Sequence, residues 1–326
     1  MTTLSLFTPS GALPKADALK RAAKRLTQLG FEVSVDADAL ARHQRFGGDD
    51  ATRLAALHRI ADAAPGVALA TRGGYGLTRL LDQIDWGRVA HSVEHGTRWV
   101  GYSDLTALQN GLIAHKKGLA MWSGPLACDD FGRTEAEGGV DEVTQDCFLE
   151  AMSGALEAVG FRETTSARGV TEFDGLEARG RLWGGNLTVL CSLLGTPHWP
   201  KVKGGVLFLE DINEHPYRVE RMLLQLQQAG VIDAQAAVLM GDFSGAPKTP
   251  NDRGYGLKDA VAALRSRTKT PVLMGLPFGH VRTKVCLPVG ATVDLYVQGR
   301  EAILGWQSDA RLAHDHGHHH GHDHDH

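Results

Sequence analysis

The run Arg98-Trp99-Val100-Gly101-Tyr102-Ser103-Asp104-Leu105-Thr106 sets a serine where a short apolar strand gives way to a helix. On so tight a turn the hydroxyl is lifted clear of the sheet. The adjoining backbone N–H groups lie at a helix N-terminus, which stabilises developing negative charge. That arrangement suits a nucleophile in acyl transfer. Serine is also the ordinary cap of a helix start, and the second glycine of the usual nucleophile turn is missing. A serine hydroxyl attacks only when a neighbouring base takes its proton, and that base needs a third group to fix its tautomer. His115, His198, His215 and His280 are candidate bases, and Glu210, Asp211 and Glu214 are candidate orienting carboxylates. Residue type alone leaves the choice open. Gly73-Gly74, within Arg72-Gly73-Gly74-Tyr75-Gly76, reads either as a simple turn or as backbone whose N–H groups face a site.

These residues need a scaffold. Leu4 to Phe7 reads as a buried strand, and a helix follows from about Lys15 to Leu29 with Leu19, Ala22, Leu26 and Leu29 on one face. Phe31 to Val35 is a second strand, Asp49 to Ala64 a second helix, and Val67 to Ala70 a third strand. Alternation of this kind predicts βαβ units and a parallel sheet. Functional loops of such sheets lie beyond the carboxyl ends of the strands, where the Gly73-Gly74 loop and Ser103 both fall. From about Cys128 to Phe173 the periodicity weakens, as in a crossing between domains. The second half begins at Gly180-Arg181-Leu182-Trp183-Gly184-Gly185-Asn186. It continues with strands at 205–209, 236–240 and 271–274, helices from Pro216 and Lys258, and a β-rich end. The expected fold class is therefore α/β. A mostly parallel N-terminal sheet flanked by helices, flavodoxin- or amidotransferase-like, precedes a mixed C-terminal domain, with the site at their interface. The expected bounds are 1–135 for the nucleophile domain, 136–175 for the crossing, 176–312 for the second domain and 313–326 for a tail.

Composition narrows the classes. The 326 residues are 43% hydrophobic and 22% charged with a formal charge of −4, which carries no sign of a nucleic-acid partner. No apolar run reaches the roughly 18 residues of a membrane span, and the N-terminus lacks a secretory pattern, so a cytoplasmic protein is expected. Cys128, Cys147, Cys191 and Cys286 lie far apart without metal-type spacing and read as reduced thiols. The stretch His314 to His326 holds eight of the 16 histidines among Asp and Gly. It is disordered by composition, and His314, His316 and His318 are candidate ligands for zinc or nickel. No metal is expected at the active site.

Five motifs follow in order: Arg72-Gly73-Gly74-Tyr75-Gly76, Gly101-Tyr102-Ser103-Asp104, Gly184-Gly185-Asn186-Leu187, Leu207-Phe208-Leu209-Glu210-Asp211 and Gly275-Leu276-Pro277-Phe278-Gly279-His280. Together they resemble the LD-carboxypeptidase family of serine peptidases, which includes muramoyltetrapeptide carboxypeptidases and microcin C self-immunity proteins. The resemblance runs to about Gln307. It implies a triad of Ser103 as nucleophile, His280 as base and Glu210 as its orienting group, with Gly74 and Asp104 N–H groups as oxyanion donors. It implies no cofactor. The expected substrate is cytoplasmic murein tetrapeptide, cut at its terminal D-Ala during cell-wall recycling, and the expected assembly is a homodimer. A microcin C-type peptidyl or aminoacyl nucleotide is the alternative substrate. Trp183, just before the glycine pair, is either core packing or an aromatic that stacks on the substrate. Arg72 is a candidate partner for a terminal carboxylate, or one half of a structural ion pair.

Overall fold

The computed structural model describes residues 1–164, 171–247 and 249–307. In chain order the first half supplies β1 (Thr2–Phe7), α1 (Ala16–Gln28), β2 (Phe31–Val35), α2 (Asp50–Ala63), β3 (Val67–Ala70), α3 (Trp86–Glu94), β4 (Arg98–Val100), α4 (Thr106–His115) and β5 (Met121–Ser123). Then follow α5 (Glu142–Ser153), β6 (Ala158–Arg162), β7 (Glu177–Asn186), α6 (Leu187–Leu193), β8 (Val206–Ile212), α7 (Pro216–Gln228) and β9 (Ala237–Ser244). The chain ends in α8 (Leu257–Arg265), β10 (Val272–Met274), β11 (Leu287–Val289), β12 (Thr292–Gln298) and β13 (Glu301–Trp306).

Two sheets result, and the fold is mixed α/β. The first has the order β2-β1-β3-β4-β5-β11 and is parallel except for its last strand. The second has the order β10-β9-β8-β7-β12-β13-β6, parallel from β10 to β7 and antiparallel beyond. At the centre of the first sheet β3 is apolar and buried along its whole length, as expected of a strand covered on both faces. Helix α1 turns Leu19, Ala22 and Leu26 inward. Helix α2 starts on Asp49, whose carboxylate accepts from the Thr52 N–H at 2.8 Å, a regular N-cap.

Helix α4 is different. Every residue from Thr106 to Ile113 is buried, because α4 packs against both β7 and α6 of the second half. A helix buried on all sides belongs in an interior. Its polar residues bond across the junction. Asn110 Nδ2 donates to Gly184 O at 2.8 Å, and the Asn186 N–H donates to Thr106 Oγ1 at 2.9 Å. Gly185, at φ +121°, is required there, since a Cβ would stand 2.6 Å from Thr106 Oγ1.

Two expectations are corrected. The stretch 136–175, expected as a crossing, contributes α5 and the edge strand β6 of the second sheet. And β11, from the stretch assigned wholly to the second domain, pairs antiparallel with β5 and completes the first sheet. An edge strand needs only one free ladder, so a distant segment can add to it without local signal.

Candidate active site

Ser103 sits between β4 and α4 with φ +63°. For a non-glycine residue that conformation is sparsely populated and persists only where the surroundings hold it. The loop after β3 does so from one side. A Cβ on Gly73 would lie 2.7 Å from both Cβ and Oγ of Ser103, so only glycine fits that position. The Gly11 N–H donates to Gly73 O at 3.1 Å and anchors the loop, while Gly74 takes φ +104°. The Asp104 carboxylate, 1% exposed, accepts from the Leu77 N–H at 2.8 Å and ties the serine turn to the loop beyond Gly76. Burial pushes that carboxyl above its ordinary range. Among the described residues, neither the Gly74 nor the Asp104 N–H donates to a loop or side-chain acceptor.

The second half faces this turn with Glu210 and His280. Glu210 lies on β8 beside an irregularity in its pairing with β9, and it is fully buried. Its Oε2 accepts from His280 Nδ1 at 2.8 Å, and its Oε1 accepts from Asn186 Nδ2 at 3.2 Å. A carboxylate on Nδ1 fixes the imidazole proton there and leaves Nε2 as an acceptor. Nε2 is 3.2 Å from Ser103 Oγ. Burial is the largest influence on Glu210 and pushes its carboxyl up, while the His280 and Asn186 hydrogen bonds pull it down. The chain thus brings Ser103, His280 and Glu210 into one hydrogen-bonded line across the junction. Such a line can move a proton from the hydroxyl to the ring and hold the resulting imidazolium.

The alternatives are placed elsewhere. His115 and His198 bond each other at 3.0 Å, and His198 Nε2 lies 2.8 Å from Asp82 Oδ1. His215 occupies the N-cap position of α7 without a side-chain capping bond and stacks on Tyr217. Asp211 is occupied by the start of α6, accepting from the Thr188 N–H at 2.8 Å and the Thr188 hydroxyl at 2.7 Å. Glu214 pairs with Arg218 at 2.6 Å.

Trp183 does not line the site. It is 1% exposed, its Nε1 donates to Gln235 Oε1 at 2.9 Å, and its ring meets Trp199 edge-on at 5.4 Å. A buried indole with its N–H satisfied is core packing and presents no face to a substrate. Arg72 forms no ion pair among the described residues, and its Nη1 donates to Ala12 O at 2.9 Å. No group of three or more His, Cys, Asp or Glu side chains among the described residues is arranged to hold a metal ion. The histidine-rich tail lies outside the described residues.

The sequence reading did not single out three residues near His280. Tyr102, next to the serine, sets its ring edge-on to His280 at 4.8 Å. Beneath it Lys284, fully buried, places Nζ 5.4 Å from the Tyr102 centroid and pairs with Asp130. Asp130 also accepts from the Leu126 N–H at 2.8 Å. Adjacency to Ser103 was a usable signal for Tyr102, whereas Asp130 and Lys284 share no local pattern. A surface depression of about 640 Å³, lined by His215, Tyr217, Glu220 and Tyr255 among others, includes none of Ser103, Glu210 and His280.

A serine turn on one α/β sheet, facing a histidine and a buried carboxylate from a second, defines the class of serine hydrolases with a two-part site. Comparison with known proteins identifies the branch. Residues 4–124 match the LD-carboxypeptidase N-terminal domain and residues 179–295 the LD-carboxypeptidase C-terminal domain, and the chain belongs to the LD-carboxypeptidase family. It is 29% identical over 303 residues to a probable murein peptide carboxypeptidase of Bacillus subtilis, covering 93% of this chain and 91% of the relative. The crystal structure of muramoyltetrapeptide carboxypeptidase from Oxalobacter formigenes superposes with a TM-score of 0.83 at 37% identity, over 94% of this chain and 99% of that one. The microcin C7 self-immunity protein of Escherichia coli is 24% identical over 254 residues, 70% of each chain.

Proposed function

We propose that this chain is a serine LD-carboxypeptidase acting on murein tetrapeptide. The observation that carries the reading is the continuous bond line from Ser103 Oγ through His280 to Glu210, at 3.2 and 2.8 Å. In the proposed reaction Ser103 Oγ attacks the scissile carbonyl while Nε2 of His280 takes its proton. The N–H groups of Gly74 and Asp104 receive the oxyanion, and Glu210 holds the imidazolium. The C–N bond then breaks, and Nε2 returns the proton to the leaving amine. Water, deprotonated by the same nitrogen, frees the acyl group from Ser103. The substrate assignment, the L-to-D amide before a terminal D-Ala, rests on the relatives that carry murein peptide names. The setting we propose is cytoplasmic cell-wall recycling.

Incubation with tetrapeptide and, separately, with an aminoacyl sulfamoyl adenylate tests this, with products read by mass spectrometry. Loss of one alanine from the tetrapeptide is the expected result. Cleavage of the adenylate alone would transfer the chain to the self-immunity activity.

A further inference from the structure

The loops after β3 and β5, the two strands that flank β4, each carry one charged side chain that forms no ion pair among the described residues. The Cys128 N–H donates to Thr71 O at 2.8 Å, so Arg72 and Asp129 each follow one partner of that bond. Among the described residues Arg72 bonds only the Ala12 carbonyl, and its Nε is buried without an acceptor. Asp129 is exposed, and its carboxylate has no hydrogen bond or ion pair among the described residues. The other carboxylates nearby are committed: Glu210 to His280, Asp130 to Lys284, and Asp104 to the Leu77 N–H. Arg72 and His280 both act on Asp129 electrostatically, and crowding by the surrounding protein nonetheless pushes its carboxyl up.

We infer that Arg72 and Asp129 form a subsite for the zwitterion of an α-amino acid, the leaving product, with Arg72 taking its carboxylate and Asp129 its ammonium. The inference rests on the carboxypeptidase reading above. In the intact substrate the nitrogen is a neutral amide and only the carboxylate has a charged partner. When the C–N bond breaks, the electron pair stays on nitrogen, which takes one proton from His280 Nε2 and, at neutral pH, a second from water. Asp129 therefore gains a cation only after cleavage, an interaction absent from the ground state. Charge-assisted hydrogen bonds at both ends would hold the freed amino acid more tightly than either end alone.

Calorimetry on the full chain tests the subsite with three probes: D-alanine, N-acetyl-D-alanine, which lacks the ammonium, and D-alaninamide, which lacks the carboxylate. D-alanine is expected to bind about ten-fold tighter than either analogue, about 1.4 kcal/mol. Asp129→Asn should weaken D-alanine about ten-fold and leave N-acetyl-D-alanine unchanged. Arg72→Gln should weaken D-alanine and N-acetyl-D-alanine and spare the amide. Equal binding of all three probes to the unaltered chain, or an unchanged ratio in Asp129→Asn, overturns the inference. Tetrapeptide turnover measured in parallel separates the two readings. Absent turnover sinks the carboxypeptidase assignment, whereas turnover with equal probe binding sinks the subsite alone.

Discussion

Glu210 carries opposing demands at the residue scale. Burial disfavours its charge, and the role proposed for it beside His280 needs that charge. Its raised folded pKa means the folded chain binds this proton more readily than the unfolded one. Stability from this group therefore falls as pH rises from the ordinary glutamate value of 4.5 through the raised folded value. Glu210→Gln removes the buried charge while keeping an acceptor for Nδ1. It should raise the unfolding midpoint at pH 7, with the gain shrinking toward pH 4.5, and should lower kcat. A midpoint gain that grows on acidification would contradict this account. Ser103→Ala and His280→Ala should each reduce kcat by about 10³-fold or more, and the double substitution should add little, because residues acting as one unit are not additive.

At the scale of elements, the site is a junction of turns set by close packing. Gly73 touches Ser103 so tightly that any side chain must displace one of them. Gly73→Ala should cut kcat about 10²-fold, the cost of roughly 1 Å of misplacement, with a far smaller fractional change in KM. An unchanged kcat would show that the turn yields without moving the hydroxyl. This junction was well marked in the sequence. Strand and helix alternation up to Ser103 gave most of the first sheet because each period is local, and the ends of α1 and α2 fall within a residue or two of the expected ones. The bond line was legible only through the motifs. Periodicity carried no information on which of four histidines would meet Ser103, since that choice depends on how β8 and the loop after β10 face α4. The choice between packing and stacking for Trp183 stayed open in the sequence because its position beside the glycine pair says nothing of which side of β7 it packs on.

On the scale of the whole molecule, the two halves are interlocked rather than apposed, and this was the least legible feature. β11 reaches the first sheet from residue 287, and α5 with β6 lies where a plain crossing was expected. Long-range edge pairing leaves no periodic trace. The segment returning to β11 is fastened by buried polar contacts. Lys284 pairs with Asp130, the Lys284 N–H donates to Thr144 Oγ1 at 2.9 Å, and the Cys286 N–H meets Cys147 Sγ at 3.1 Å. Both partners of the ion pair are almost wholly buried, Lys284 at 0% and Asp130 at 4% exposure, so losing one strands a charge away from water. Lys284→Met should therefore destabilise the fold by about 3–5 kcal/mol. The double variant Lys284→Met/Asp130→Leu, which strands no charge, should recover most of that loss, and urea unfolding of the singles and the double closes the cycle. The same pair lies under Tyr102, whose ring touches His280. The double variant should accordingly regain stability without regaining full kcat. Equal recovery of both would make the pair a staple of the fold with no part in placing His280.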